Sequence, residues 1–249
     1  MNKLKNILSG ILIVAIFLSL AVFVYRKGKD SDHRRLAKRI SELSSRGGPP
    51  ETIDGLRQAI ALYEAQIEQN IKDGAQTGTY WKILGIRFAD RNMHRDALAA
   101  YEKAIYYNAN DPTIYYLTGV SAGHTAKSVV GFSASSDAER DRFFALAENS
   151  YKRALDLDPQ YYKPMYGLGV LYTFELDRPE DAIPYMENYV RNQSSDISAM
   201  FVLARAYYMT ERYQQAVDVY DRIISKTKDP KVKADAQNNR EIVMGQLYG

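Results

Sequence analysis

The sequence predicts an all-α solenoid of helical hairpins preceded by a single transmembrane helix. Three observations support this prediction: an uncharged apolar run near the N-terminus, a recurring helical pattern of small and large residues, and aromatic-led runs that end at Asp-Pro. Of the 249 residues, 46% are hydrophobic and 25% are charged, as is typical of folded proteins. We therefore expect a folded helical body and not a disordered chain.

The first element is the apolar run at residues 7–25, which contains 19 residues without a charge. As a helix it would be about 28 Å long, enough to cross a bilayer. A cleaved signal peptide is the alternative, because lysines precede the run and residues 19–21 have the small-x-small form of a cleavage site. The run continues to Tyr25 before it meets Arg26, which favours an uncleaved anchor over residues 1–28.

Residues 29–49 are expected to form a basic juxtamembrane helix or linker. Seven Lys or Arg residues lie between 26 and 39 against two Asp, so residues 40–249 are mildly acidic although the whole chain carries +3. Nucleic-acid binding needs a clustered basic surface, so we expect no nucleic-acid partner. The basic flank slightly favours a cell (inner) membrane protein with a cytoplasmic body, but a short lysine-bearing N-terminus also suits a signal anchor that exports its C-terminal domain.

A repeat with helical spacing fills most of the body, which we assign to residues 50–249. In four stretches a large residue is followed four positions later by a small one: Gly85, Gly119, Gly169 and Ala204, which are 34, 50 and 35 residues apart. In a second set an alanine precedes a large residue by four: Ala97 and Tyr101, Ala147 and Tyr151, Ala182 and Met186, Ala216 and Tyr220. This spacing places both on one helical face. The small residues are expected to let neighbouring helices approach closely.

These motifs resemble the tetratricopeptide repeat. The stretch "WKILGIRF" followed by Ala97, Tyr101 and Ala104 carries its clearest copy, whereas Thr118, Ala122 and Tyr189 depart from the pattern. The resemblance implies repeats at 78–111, 112–158, 159–195 and 196–229, a degenerate repeat before about 77 with its second helix at 53–73, and a capping helix at 230–249. Asp-Pro is expected to end second helices, because proline restricts the residue before it and suits the next helix's first turn.

The 50-residue spacing indicates an insertion in the second repeat, which we place at 123–138. Val129, Val130 and Phe132 would then be apolar residues on a loop between the two helices. Ser136 and Glu139 have the spacing of a capping box and are expected to start a lengthened second helix. Loops of that length in compact units usually have a function or move.

The sequence offers little for catalysis. It has no cysteine, and the histidines His33, His94 and His124 lack the i, i+4 partner of a helical metal site. "RGGPP" at 46–50 lacks the Lys-Ser/Thr of a phosphate-binding loop. We therefore expect no enzyme activity, no metal and no cofactor.

The family resemblance implies a concave surface lined by first helices. The matching positions are Lys82, Ile86, Tyr116, Val120, Lys163, Tyr166, Val170, Phe174, Phe201, Arg205 and Tyr208. Ile86, Val120 and Gly167 replace the two Asn and the Arg with which some family members bind an acidic C-terminal peptide. An apolar groove instead favours an apolar helix or extended segment of a partner protein. Alternatively, the protein's own segments fill the groove.

The function expected from these features is a membrane-anchored scaffold or adaptor in the assembly of a cell-envelope or membrane complex. The alternative is a regulatory or chaperone-like subunit of a membrane enzyme or translocation machinery. Partner identity and oligomeric state are not encoded in any motif of the sequence.

Overall fold

A computed structural model describes residues 35, 38–42, 52–131 and 133–248, and all the regular structure in these ranges is helical. Residues 38–42 are helical, and the later helices are α1 (Ile53–Ala89), α2 (His94–Tyr107), α3 (Pro112–Ser128), α4 (Ala134–Leu157), α5 (Tyr162–Val170), α6 (Pro179–Asn192), α7 (Ile197–Met209), α8 (Tyr213–Lys226) and α9 (Pro230–Tyr248). A π-helical turn, Leu171–Glu175, directly follows α5.

The chain divides into two compact units, Met1–Gly74 and Ala75–Gly249. The predicted membrane-spanning run, residues 7–25, lies outside the described residues. Among the helices of the described ranges, none is long and apolar enough to cross a bilayer.

Helix α1 is longer than the sequence predicts. We expected the second helix of a degenerate repeat to end near residue 73 and a new helix to start at 78, but α1 runs unbroken over 37 residues. The stretch between contains Gly74 and Gly78 and no proline. Glycine lowers helix propensity by about 1 kcal/mol but keeps its backbone N–H donor, so the hydrogen-bonded ladder continues where a proline would stop it.

In the second unit, each helix from α2 to α9 packs against the next helix in sequence. Contacts also join α3 to α5 and α5 to α7, which are the first helices of adjacent repeats. The fully buried side chains include Leu168, Met186, Met200 and Ile223. The all-helical repeat architecture predicted for this region is therefore confirmed.

The glycines of the first helices receive the large residues of the second helices. A Cβ on Gly119 would lie 2.5 Å from the Tyr151 ring, and added Cβ atoms on Gly85 and Gly169 would collide with Tyr101 and Met186. Because real carbon atoms pack about 3.5–4.0 Å apart, no side chain fits at these positions. The close approach predicted from the small residues is confirmed.

Three repeats share one turn between their two helices. Asn92, Asp177 and Glu211 each have a positive φ of 50–59°, and each is followed by a backbone N–H that donates to a carbonyl near the end of the first helix. Asn and Asp tolerate this left-handed conformation better than most residues. The second repeat lacks the shared turn, because its insertion lies at that point.

The insertion is mostly helical. We expected a loop over 123–137, but α3 continues to Ser128 and α4 begins at Ala134. The capping box is also one turn earlier than predicted: Ser133 is the N-cap and exchanges hydrogen bonds with Ser136. The extra residues thus lengthen both helices of the hairpin, since α3 and α4 can bury apolar residues such as Ala126 and Phe143 against each other.

Two of the three Asp-Pro boundaries, at Pro112 and Pro230, begin helices as predicted, whereas Pro159 lies in the turn between α4 and α5. Asp111 is the N-cap of α3, where its side chain accepts a 2.9 Å hydrogen bond from the Thr113 N–H, and Pro112 is the first helical residue. Pro230 likewise opens α9. Pro112 and Pro230 therefore each occupy a first-turn position that needs no backbone donor.

Candidate functional site

The predicted groove residues all lie on the first helices of the repeats or on the π turn that extends one of them. Lys82 and Ile86 are on α1, Tyr116 and Val120 on α3, Lys163, Tyr166 and Val170 on α5, Phe174 on the π turn, and Phe201, Arg205 and Tyr208 on α7. Because α5 contacts both α3 and α7, the residues of these three helices form neighbouring rows. That these rows form a binding surface stays a prediction.

Much of this surface is already in contact with the protein's own second helices. The rings of Tyr166 and Tyr189 lie 5.5 Å apart, and those of Phe201 and Tyr220 lie 6.0 Å apart. Tyr116 contacts Tyr161 at 5.4 Å. These side chains are half-buried, so each presents only part of its area to a ligand.

An open cavity remains between α3, α4 and α5. It has a volume of about 140 Å³, and its lining includes Val120, Phe144, Tyr151 and Val170. Val120 and Val170, both predicted as groove residues, meet there although they are 50 positions apart. A cavity of comparable size, about 150 Å³, can hold a benzene molecule, so this one has room for a single apolar side chain.

The rim of the cavity is polar. Lys127 on α3 and Glu175 on the π turn form a salt bridge of 2.5 Å, and both line the cavity. An apolar floor with a polar rim is the arrangement found at the centre of protein interfaces.

The π turn, which contributes Leu171 and Glu175 to the cavity lining, also exposes an aromatic residue. The Leu176 N–H donates to the Leu171 carbonyl at 3.0 Å, which is the i to i+5 bond that defines the turn. Phe174, at 54% exposure, is one of the more exposed aromatic side chains, while the adjacent Thr173 is 2% exposed and its Oγ1 lacks a hydrogen-bond partner. π turns of this kind occur frequently at functional sites.

The predicted basic residues of the groove differ in their contacts. Lys82 donates a 2.7 Å hydrogen bond to the Asp111 carboxylate, so it links α1 to the N-cap of α3. Burial alone would raise the pKa of Asp111, but the bonds from Lys82 and from the Thr113 N–H lower it. Lys163 and Arg205 are exposed and lie over the rings of Tyr116 and Tyr208, at 6.0 and 5.4 Å. Only Lys163 and Arg205 therefore have charges directed to solvent.

The apolar residues expected on the insertion loop behave differently from one another. Val129 packs against the core at the C-terminal end of α3, whereas Val130 is 91% exposed. Phe132 lies outside the described residues. Gly131 between them has a φ of +147°, a conformation that a side chain would strain.

Sequence reasoning missed a histidine pair. The rings of His94 and His124 stack with 4.4 Å between centroids and 7° between planes, although 30 residues separate them in sequence. Burial and the neighbouring His124 both lower the pKa of His94. The pair lies at the junction of α2 and α3, and His124 also lines the cavity.

A charged network on α4 was also missed. Glu148 accepts hydrogen bonds from Lys152 at 2.7 Å and from the Tyr172 hydroxyl at 2.8 Å, and it forms a salt bridge with Arg178. Burial would raise the pKa of Glu148, but these partners lower it overall. Arg178 also forms a salt bridge with Asp181, so two carboxylates balance two cations, which favours a structural role in joining the second and third repeats.

Comparisons with known proteins agree with the repeat assignment. Residues 133–196 and 174–232 match the family model described as Tetratricopeptide repeat. Anaphase-promoting complex subunit 3 of Schizosaccharomyces pombe (strain 972 / ATCC 24843) is 24% identical over 142 residues, which are 57% of this chain and 19% of that protein. The chain therefore spans about a fifth of the length of this curated relative.

Solved structures show the same fold. YrrB, a TPR protein with an unusual peptide-binding site, has a TM-score of 0.57 and 20% identity over 72% of this chain and 82% of its own. MamA (residues 41 to the end) from Desulfovibrio magneticus RS-1 has a TM-score of 0.54 and 16% identity, covering 68% and 94%. TTC0263, a thermophilic TPR protein in Thermus thermophilus, has a TM-score of 0.52 and 14% identity, covering 82% and 97%. Residues 133–232 therefore carry tetratricopeptide repeats in a TPR-like solenoid.

Proposed function

We propose that this protein is a non-catalytic, membrane-anchored scaffold that binds an apolar helix or extended segment of a partner protein along its first helices. The observation that carries the proposal is the cavity between α3 and α5, which is lined by Val120, Val170 and Glu175, the last of which directly follows the exposed Phe174 in the chain. Repeat proteins of this type generally bind other proteins on an extended surface. The similarity to YrrB, which is described as a TPR protein with an unusual peptide-binding site, supports a peptide ligand here as well.

Binding would use two kinds of contact. One apolar side chain of the partner enters the cavity, which is large enough for a single leucine-sized or phenyl-sized group. Phe174 covers the neighbouring part of the segment, and the exposed Lys163 and Arg205 contact carbonyl or carboxylate groups beside it. Aromatic and arginine side chains supply most of the free energy at such interfaces.

The apolar residues 7–25 support the membrane part of the proposal. A run of 19 uncharged residues would hold the chain in a bilayer, and the basic residues after it would lie at the headgroups. The repeats would then hold their partner close to the membrane, as a cell-envelope assembly factor does. A regulatory or chaperone-like subunit of a membrane enzyme is the second candidate, because the same apolar surface suits transient binding.

Alkaline carbonate extraction tests the anchor, and protease treatment of intact spheroplasts tests the side. We expect the full-length chain to stay in the membrane pellet and the repeats to be protected from protease. A full-length chain in the supernatant would contradict the anchor, and digestion of the repeats would place them on the outer side.

Binding is tested by purifying the full chain with its partner from detergent-solubilised membranes. Phe174→Ala should lower the recovered partner, and Tyr166→Ala combined with Phe201→Ala should weaken binding by about 2 kcal/mol or more. Tyr106→Ala is the matched control, because it removes an aromatic ring that is 80% exposed on the second helix α2. Equal recovery from Phe174→Ala and wild type would argue against this surface.

A further inference from the structure

Helix α1 presents an apolar stripe to solvent in its first half. Ile53, Leu56, Ile60, Ile67 and Ile71 are between 41% and 71% exposed. At 100° per residue they fall within an arc of about 100°, which is the width of a helix-packing face. Single exposed apolar residues are common, but a continuous row of this length usually marks an interaction site.

The spacing of the stripe is that of a coiled coil. Ile53, Leu56, Ile60, Tyr63 and Ile67 follow one another at intervals of 3, 4, 3 and 4, so they occupy the a and d positions of successive heptads. Asn70 continues the series as its one polar member between 53 and 70. Ala59, which is 8% exposed, lies at the g position on one flank of the stripe.

We propose that this stripe is the interface of a homodimer in which two copies of α1 pair antiparallel. In the pairing centred between Ile60 and Tyr63, residue i of one copy lies level with residue 123 − i of the other. Leu56 then faces Ile67, and Ile53 faces Asn70. The a and d side chains of one helix fill the spaces between those of the other.

Charges beside the stripe select both the occupant and the direction. Arg57 and Glu64 occupy e positions, and their side chains are exposed on the same flank of the stripe. In the antiparallel pair, e positions face e positions, so Arg57 of each copy lies near Glu64 of the other and two ion pairs form. In a parallel pair Arg57 would face Thr52 and Glu64 would face Ala59, which gives no charge pairing. Arg57 also forms an exposed 3.6 Å salt bridge with Asp54 of its own helix, so the antiparallel pair adds Glu64 of the second copy as a further carboxylate partner.

Disulfide trapping in the full-length chain tests this arrangement, since the natural sequence has no cysteine to interfere. The double variant Ile53→Cys/Asn70→Cys should form a covalent dimer under mild oxidation, because each cysteine meets the other one across the pair. Neither Ile53→Cys nor Asn70→Cys alone should form a covalent dimer, since the two copies of the same residue lie at opposite ends of the paired segment, about 26 Å apart. The matched control is Gln58→Cys/Ala65→Cys, which has the same register on the outer face and should stay monomeric.

A covalent dimer of Ile53→Cys alone would mean a parallel pair and would overturn the proposal, as would an absence of dimer in the double variant. The mass of the detergent-purified full chain gives an independent measurement. We expect a dimer for the wild type and a monomer for Ile60→Asp. A monomeric wild type would assign the stripe to another occupant, and a dimer that survives Ile60→Asp would place the interface elsewhere.

Charge reversal separates the ion pairs from the apolar contact. Glu64→Arg sets like charges opposite each other at two sites, so the dissociation constant should rise about tenfold. Arg57→Glu combined with Glu64→Arg should restore it. If the double reversal dissociates as easily as the single one, Arg57 and Glu64 do not face each other and the antiparallel register is wrong.

Discussion

Two glycines on helix α3, one turn apart, are expected to respond to the same substitution in opposite directions. Gly119 lies against the Tyr151 ring, where an added Cβ would be 2.5 Å from Cε1 and 2.6 Å from Cδ1. Gly123, four residues later, has nothing within 4 Å of the same added atom. Gly119→Ala should therefore destabilise the protein, and Gly123→Ala should stabilise it.

The magnitudes follow from two competing contributions. Alanine is favoured over glycine in a helix interior by about 1 kcal/mol, and both sites gain this. At Gly119 the methyl group must displace the ring by about 1 Å to reach a normal contact distance. Tyr151 is 7% exposed and also lies against Gly167, so its ring can move only toward the cavity that it lines. Overpacking costs about 1–3 kcal/mol, which leaves a net loss of up to about 2 kcal/mol at Gly119.

Urea unfolding of the two variants, followed by the helical circular dichroism signal, gives the free energies directly. We expect the midpoint to fall for Gly119→Ala and to rise slightly for Gly123→Ala, with similar slopes. If Gly119→Ala is as stable as Gly123→Ala, the tyrosine does not pack against the glycine and the helix spacing derived from it is wrong.

Three further substitutions test packing, the α4 network and the histidine pair. Ala216→Leu, at a fully buried position between helices, should lower stability by about 1–3 kcal/mol in the same urea assay, and an unchanged midpoint would mean that α8 is loosely packed. Glu148→Gln should lower the free energy of unfolding by about 1–2 kcal/mol near neutral pH. Because its partners lower the pKa of Glu148, the wild type loses stability as this carboxylate is protonated below about pH 4.5, and the variant should lose less. A pH profile of stability identical to that of the wild type would contradict this. Burial and His124 hold the pKa of His94 below its usual 6.5, so its contribution to stability should be complete above that pH and lost as the pH falls. His94→Gln should flatten the stability profile below about pH 6.5, and an unflattened profile would rule out the pair as its cause.

The repeat architecture could be predicted because its signals are local and periodic. Small and large residues at helical spacing identified the contact of Gly85 with Tyr101, and Asp-Pro marked the start of α3. These features depend on backbone chemistry and on spacing within one helix, which the sequence shows directly.

The remaining features depend on tertiary contacts. Nothing local indicates that α1 continues through Gly74 and Gly78, because glycine weakens a helix without ending it. The insertion became two helix extensions because α3 and α4 pack on each other, a contact that single-helix patterns do not report. The bond from Lys82 to Asp111 and the stacking of His94 on His124 join residues about 30 positions apart, so no short motif contains them.

Site-specific photocrosslinking tests the central claim that the first-helix surface binds a partner protein. A photoreactive phenylalanine analogue is placed at Phe174 in the full-length chain, in native membranes, and at Tyr106 as the control, an aromatic position on a second helix that is more exposed than Phe174 (80% against 54%). We predict a covalent adduct with one other protein from position 174 that is absent from position 106 and is lost when Val170→Asp is added. Adducts that are the same from both positions, or that persist with Val170→Asp, would contradict partner binding at this surface.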